Sequence, residues 1–133
     1  MKNSATYGLL IFLGGGLGSL LRFAISVWMQ RGTGLAFPIG TLAVNALGCF
    51  GIGFCVTLLE QRSLMTPALR FFLLIGFFGG FTTFSTFGLE TWGYLEAGKM
   101  IPALGNILAN VIGCITLLYL GMCLARWGTV PAQ

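Results

Sequence analysis

Three asparagines and a run of hydroxyl side chains lie inside long apolar stretches of the sequence, where polar groups are costly and usually functional. Asn106, Asn110 and Cys114 recur every four residues and therefore share one face of a helix, and Asn45 lies in an earlier apolar stretch. Residues 79–87, GGFTTFSTF, add four hydroxyls, two adjacent glycines and three phenylalanines. Amide and hydroxyl groups form hydrogen bonds, so these residues are suited either to forming a polar track or simply to joining helices.

The rest of the composition gives no support to catalysis. The chain has no histidine, so it contains no Ser-His-Asp arrangement. Its three acidic residues are Glu60, Glu90 and Glu96. Its four cysteines are Cys49, Cys55, Cys114 and Cys123. The cysteines lie in apolar stretches without CxxC spacing, which favours small packing residues over a metal site or a disulfide. We therefore expect a protein that is not an enzyme.

The composition places the chain in a membrane. Of 133 residues, 56% are hydrophobic and 8% are charged, with a mean hydropathy of +0.93, whereas soluble domains carry about a quarter charged residues. Four apolar runs, each long enough to cross a hydrocarbon core about 30 Å thick, are separated by short polar segments. They are residues 6–29, 37–59, 69–94 and 101–125. We expect an all-α, multi-pass protein in which residues 1–133 form a single four-helix transmembrane domain.

The third run contains an interruption. Residues 69–96 would extend about 42 Å as one helix, which exceeds the hydrocarbon core, and two glycines lie near the middle. A break between Gly79 and Thr83 resolves this, and one of the threonines there would cap the second half-helix. Phe84 and Phe87, three residues apart, would project from one side of it. The alternative is a tilted helix with a glycine kink, whose hydroxyls bond to the preceding turn.

The first and fourth runs contain small residues that are suited to helix packing. Gly14 and Gly18 form a GxxxG motif, and a stripe of small residues including Gly105 and Gly113 runs beside the asparagines of the fourth run. Arg22 lies inside the first run, roughly 10 Å from its end. An arginine at that depth is expected to face protein or water, where it either concentrates anions or bonds a helix end.

Basic residues are nearly balanced across the membrane. With an even number of spans, the termini and the middle loop share one side. That side carries Lys2, Arg62, Arg70 and Arg126, and the other carries Arg31, Lys99 and Arg22. Because the positive-inside rule needs a marked asymmetry, we expect the chain to insert in either orientation. The net charge of +4 is spread over loop ends, which favours contact with water or lipid headgroups over nucleic acid.

Three motifs together resemble the Fluc (CrcB-like) family of fluoride channels. They are GGxxGxxxRF at residues 14–23, GTLxVNxxGxFxxG at residues 40–53 and GGFTTFSTF at residues 79–87. The resemblance extends over all four spans. It implies fluoride-selective, passive export from the cytoplasm by a bacterial inner-membrane protein. That protein would pair with an inverted copy of itself as an antiparallel, dual-topology homodimer with two pores.

The resemblance also implies roles for single residues. A structural Na⁺ would be bound by the backbone carbonyls of Gly79 and Thr82 from both subunits. Asn45, Phe84 and Phe87 match pore residues of the family. The polar track falls on Asn106, Asn110 and Cys114, where the family commonly has tyrosine and serine hydroxyls. The expected fluoride path consists of Asn45, Phe84, Phe87, Asn106 and Asn110, the hydroxyl donors Ser85 and Thr86, and the charge of Arg22; Cys114 is not assigned to it.

Fluoride is small and strongly hydrated, so its path must replace water with amide and hydroxyl donors and with the positive edges of aromatic rings. The alternative function is a small dual-topology cation or drug antiporter, which needs a carboxylate buried in the membrane. Glu60 and Glu96 lie at run ends and Glu90 lies towards one, which favours the channel. A third interpretation, a purely structural membrane partner, predicts that the asparagines tolerate apolar replacement.

Overall fold

The computed structural model describes residues 2–33 and 37–127, with side chains described for residues 4–32 and 37–127. In this part of the chain, the helices are α1 (Lys2–Thr33), α2 (Ile39–Gln61), α3 (residues 67–81), α4 (Phe84–Glu96) and α5 (Met100–Trp127). Four segments are long and apolar enough to cross a membrane, namely Ser4–Gly32, Ile39–Gln61, Pro67–Glu96 and Met100–Trp127. The predicted all-α architecture with four spans is therefore confirmed. The side chain of Lys2, which entered the charge count, lies outside the described residues.

The third span is broken rather than merely kinked. Thr82 (φ −91°, ψ 161°) and Thr83 (φ −150°, ψ 112°) both leave the helical conformation between α3 and α4. The hydroxyl of Thr83 accepts the backbone N–H of Thr86 at 3.3 Å and so caps α4, as predicted. The hydroxyl of Thr82 donates to the carbonyl of Phe78 at 3.0 Å and closes the last turn of α3. The break therefore has a satisfied hydroxyl on each side.

Two of the helices contain wide π-helical turns that the sequence does not predict. In α3 a π-helical segment, Phe71–Phe78, lies between short α-helical pieces at Pro67–Arg70 and Gly79–Phe81. In α5 a shorter π-helical segment, Ala109–Gly113, includes Asn110. Such segments are rare and are frequently found at functional sites. Both lie next to the polar groups described below.

Helices α1 and α3 approach each other closely because glycines face each other at their contact. A Cβ on Gly14 would meet the carbonyl of Phe72, and a Cβ on Gly18 would meet the carbonyl of Phe77. The predicted GxxxG packing motif is therefore confirmed. A matching pair on α3, Gly76 and Gly80, faces α1 in the same way. Larger residues at these positions would force the two backbones apart.

Helix α5 packs on α2 at a different set of small residues from the one predicted. A Cβ on Gly121 would meet the carbonyl of Phe50, and a Cβ on Gly53 would meet the carbonyl of Leu118. A methyl group added to Gly105 or Gly113, by contrast, would meet no atom of the described residues within 4 Å beyond the neighbouring backbone of its own helix. The prediction that these two glycines form a packing face is therefore wrong for contacts within one chain.

In the described part of the chain, many large apolar residues are exposed and several polar residues are buried. Only 11–22% of the most apolar window of each span is buried within the chain, and many of the leucines are exposed. Lipid or another apolar surface must cover them. The two largest fully buried side chains are Val44 and Asn106, so an amide lies at the centre of the packing. The other buried polar side chains among the described residues are Asn110 and four threonines, namely Thr41, Thr57, Thr83 and Thr91.

Candidate functional site

A side chain from α2 holds the break in the third span. The Oδ1 atom of Asn45 accepts the backbone N–H of Thr83 at 2.8 Å, and its Nδ2 atom donates to the carbonyl of Thr83 at 3.1 Å. In a continuous helix, the N–H of Thr83 would donate to the carbonyl of Gly79. The amide oxygen of Asn45 thus replaces the Gly79 carbonyl as the acceptor for the Thr83 N–H. The Gly79 carbonyl does not receive the helical hydrogen bond from Thr83.

From Asn45 a chain of hydrogen bonds continues along α5. The Nδ2 atom of Asn45 also donates to Oδ1 of Asn110 at 2.9 Å, and Nδ2 of Asn110 donates to Oδ1 of Asn106 at 3.0 Å. The Nδ2 atom of Asn106 donates to the hydroxyl of Thr91 at 2.9 Å, and that hydroxyl donates to the carbonyl of Phe87 at 2.8 Å. Asn106 is fully buried and Asn110 is 8% exposed. The structure therefore joins the three asparagines into one network, which we call the amide track.

Two phenylalanines border a cavity next to the amide track. The rings of Phe84 and Phe87 have centroids 5.3 Å apart and planes at 60°, so the edge of one ring faces the other. The prediction that they project from one side of the second half-helix is confirmed. The cavity has a volume of about 280 Å³, and Asn45 and Asn110 also line it. Amide groups and aromatic edges therefore share one small space, which we call the phenylalanine cavity.

A larger cavity of about 550 Å³ is lined by two charged residues, Arg22 and Glu90. Arg22 lines it from α1 together with the hydroxyl-bearing residues Ser19 and Ser26, and that it faces water rather than lipid stays a prediction. Thr83 and Thr86 line it from the break and from the start of α4. Because Thr83 also lines the phenylalanine cavity, the two cavities are adjacent at the break.

Glu90 is a residue of this larger cavity to which the sequence reasoning gave no role. The hydroxyl of Thr41 donates to its Oε1 atom at 2.6 Å. Its Oε2 atom is buried and has no hydrogen-bond partner among the described residues. Glu90 and Arg22 both line the larger cavity, so it has one acidic and one basic side chain at its wall. The sequence shows that an acidic residue lies within an apolar run. It does not show that this residue pairs with Thr41, 49 positions away.

The remaining predicted residues occupy different places. Thr86 accepts a hydrogen bond at 2.9 Å from the hydroxyl of Thr83. Ser85 is exposed, with its hydroxyl 3.4 Å from that of Thr83, and is not among the residues that line either cavity. Thr82 lines the phenylalanine cavity, and Gly79 begins the last turn of α3. The hydroxyls therefore form a small cluster at the break rather than a continuous line.

Comparison with known proteins assigns a family to the chain. Residues 9–122 match the family described as CrcB-like protein, Camphor Resistance (CrcB). A relative from Chloroflexus aurantiacus named fluoride-specific ion channel FluC is 41% identical over 119 residues, which cover 90% of this chain and 94% of the relative. Relatives with the same name include one from Citrifermentans bemidjiense, 43% identical over 116 residues (87% and 94%), and one from Parabacteroides distasonis, 45% identical over 118 residues (88% and 91%).

Proposed function

The chain belongs to the CrcB-like family, and we propose that it is a fluoride-selective channel through which fluoride leaves the cytoplasm passively, down its electrochemical gradient. A channel is not an enzyme, so no reaction is assigned to it. One structural observation carries the proposal. Asn45 and Asn110 of the amide track line the same small cavity as Phe84 and Phe87, at a break held open by Asn45.

The proposed ion path begins in the larger cavity. Arg22 has a positive charge at the wall of this space, where it raises the local concentration of anions by focusing the field. From there the ion passes Thr83, the residue shared by the two cavities, and enters the space bordered by Phe84 and Phe87. The order of contacts is therefore charge, then hydroxyl, then amide and aromatic edge.

The hydrogen bonds of the amide track fit an ion that must bind and also leave. Nδ2 of Asn45 already donates to two protein oxygens, the carbonyl of Thr83 and Oδ1 of Asn110. Nδ2 of Asn110 likewise donates to both the carbonyl and Oδ1 of Asn106. A fluoride ion that takes one of these donors therefore replaces an existing hydrogen bond. Because the net gain of such an exchange is small, binding stays weak enough for conduction.

A second, inverted copy of the chain is part of the proposal. Phe84 is 80% exposed although it lines the phenylalanine cavity, and Val111 and Ile115 on the same cavity are also exposed. A path for a hydrated anion cannot remain open to lipid on one side. The near balance of Lys and Arg between the two faces favours an antiparallel partner, which would close the cavity of each copy and give two pores.

A sodium ion at the dimer axis is proposed to stabilise the two breaks. Na⁺ prefers oxygen ligands, as other hard cations do. The extended conformation of Thr82 and the diversion of the Thr83 N–H to Asn45 leave the carbonyls of Gly79 and Thr82 outside the regular helical pattern, which fits such a ligand set. Bound there, the ion would supply a fixed positive charge between two copies. We place the assembly in the bacterial inner membrane.

The proposal is tested by measuring anion efflux from liposomes that contain the purified protein. Fluoride should leave rapidly on addition of a potassium ionophore, and chloride loaded in the same way should be retained. Release of neither anion, or of both alike, would contradict the proposal. Replacing sodium on both sides by a large organic cation should reduce efflux if the sodium site is correct, and leave it unchanged otherwise.

One observation keeps the antiporter as the alternative function. The Oε2 atom of Glu90 is buried and has no hydrogen-bond partner among the described residues. An antiporter would couple fluxes to a proton gradient through such a group. We expect fluoride efflux to follow the electrochemical gradient of fluoride whether or not a pH step is imposed across the liposome membrane. Uphill movement of fluoride or of a lipophilic cation driven by the pH step would favour the antiporter.

A further inference from the structure

Helices α2 and α5 face each other at equivalent positions over three successive turns. Asn45 bonds to Asn110, which lies 65 positions later in the chain. The same offset relates Cys49 to Cys114 one turn further on, and Gly53 to Leu118 one turn after that, where the two backbones are in contact. The two thiols therefore lie on a closely packed helix pair, between a hydrogen-bonded pair and a backbone contact.

The two cysteines share one environment. Both line the phenylalanine cavity, one turn along α2 and α5 from the hydrogen-bonded pair of Asn45 and Asn110. Cys114 is buried, Cys49 is half-buried, and both are free thiols. The sequence alone favoured a packing role for all four cysteines, because it does not show that these two meet. Fixed side by side on rigid helices, they are positioned to act together.

We propose that Cys49 and Cys114 form a two-thiolate site for a soft metal cation that prefers linear coordination, represented by Hg²⁺, and that its occupation blocks the phenylalanine cavity. The blocking part rests on the proposed channel function. Thiolate sulfur selects soft cations. A structural zinc site requires four ligands, whereas no group of three or more His, Cys, Asp or Glu residues occurs in the described part of the chain. A pair of thiols matches a cation that needs only two ligands.

Charge balance favours a divalent cation at this depth. When Hg²⁺ binds, two S–H bonds break, two Hg–S bonds form, and two protons pass to water without oxidation or reduction. The resulting bis-thiolate complex has no net charge. A neutral complex avoids the cost of burying a charge among apolar side chains, whereas a monovalent cation held by two thiolates would leave one negative charge.

The site lies where a bound metal would obstruct the proposed ion path. Four residues on each helix, or about 6 Å, separate the cysteine pair from the pair formed by Asn45 and Asn110. All four residues line the phenylalanine cavity, whose volume is about 280 Å³. A metal held between the sulfurs would occupy part of that space.

Binding is tested first, without reference to transport. Protein with Cys55→Ser and Cys123→Ser keeps only the proposed pair, and we expect it to take up one Hg²⁺ per chain from mercuric chloride. The ultraviolet Hg–S absorption should saturate at one equivalent, with both thiols then protected from alkylation. Adding Cys49→Ser to this background should weaken binding roughly a hundredfold or more, because the chelate is lost. Equal affinity in that variant, or two ions bound per pair, would overturn the site.

Blocking is tested with the same proteins in the fluoride efflux assay. We expect mercuric chloride to abolish efflux through the variant that retains the pair and a dithiol chelator to restore it. With Cys49→Ser or Cys114→Ser added, the ratio of efflux with and without mercury should stay near unity. Full efflux from the pair-only variant at saturating mercury would overturn the block. If no variant releases fluoride before mercury is added, the channel proposal fails, while the binding titration still decides the metal site.

Discussion

Asn45 and Thr83 exchange two hydrogen bonds across the break in the third span, at 2.8 and 3.1 Å. A break at membrane depth exposes backbone groups that no water can satisfy, and each such group left unpaired costs about 1–3 kcal/mol. One amide from α2 satisfies both backbone groups of Thr83 and also begins the amide track through Asn110. The geometry of the break and the donors beside the phenylalanine cavity therefore depend on the same side chain.

We predict that Asn45→Ala will destabilise the protein and abolish fluoride efflux. The substitution leaves the N–H and the carbonyl of Thr83 unpaired, at a cost of about 1–3 kcal/mol each, and removes the first donor of the amide track. Thermal unfolding in detergent and efflux from liposomes measure the two effects. Thr116→Val is the control, because the Thr116 hydroxyl is exposed and bonds only within its own helix, to the carbonyl of Ile112. Equal unfolding temperatures for the two variants would contradict the role of Asn45.

The hydroxyl of Thr83 should be needed, but its methyl group should not. Thr83→Val keeps the shape of the side chain and loses the cap on the N–H of Thr86, which is expected to cost about 1 kcal/mol of unfolding free energy. It also removes the polar group shared by the two cavities, so efflux should fall. Thr83→Ser retains the hydroxyl and should conduct like the wild type. A serine variant as impaired as the valine variant would show that shape, rather than the hydroxyl, matters here.

The contact between α1 and α3 gives a matched pair of glycine substitutions. A Cβ on Gly18 would meet the carbonyl of Phe77, so Gly18→Ala must separate the helices that carry Arg22 and the break. We expect little folded protein after solubilisation and size-exclusion chromatography. Gly8→Ala on the same helix places its methyl group within 4 Å of no described atom beyond the neighbouring backbone of α1, and it should yield as much folded protein as the wild type. Normal yield and stability for Gly18→Ala would mean that this packing is not as described.

The charge of Arg22 should act on anion supply, which makes its effect depend on salt. We predict that Arg22→Gln lowers fluoride efflux more at low ionic strength than at high ionic strength, because salt screens the field of the arginine over about 10 Å at 0.1 M. Arg31→Gln is the control, because Arg31 is exposed at the end of α1 and does not line the Arg22 cavity. A reduction that is the same at every salt concentration would assign Arg22 a structural role instead.

Much of the fold followed from local patterns, because a membrane makes them unusually strict. Four apolar runs predicted four spans, and adjacent glycines with a capping threonine predicted the break. The π-helical turns of Phe71–Phe78 were not predictable, since hydropathy is uniform along that segment and does not distinguish one helical width from another. The packing face on Gly105 and Gly113 was assigned wrongly because small residues alone do not show which helix they meet.

The site was predictable in its residue types but not in its pairings. Asn45, Asn106 and Asn110 stood out because amides are rare at that depth. Asn45 and Thr83 lie 38 positions apart in the chain, and they meet only because α2 packs against the break. No local sequence pattern encodes that contact. The same reason explains why Glu90 was not given a role, since its hydrogen bond to Thr41 forms only in the folded bundle.

The central claim, that fluoride passes between the amide track and the rings of Phe84 and Phe87, is tested most directly by replacing those rings. Efflux of fluoride and of chloride should be measured for Phe84→Ile, Phe87→Ile and the control Phe12→Ile, whose ring is 75% exposed on α1. Isoleucine keeps the side chain apolar but removes the positive ring edge. We predict fast, chloride-excluding fluoride efflux for the wild type and Phe12→Ile and its loss in the other two variants. Undiminished fluoride efflux through both Phe84→Ile and Phe87→Ile would contradict the claim.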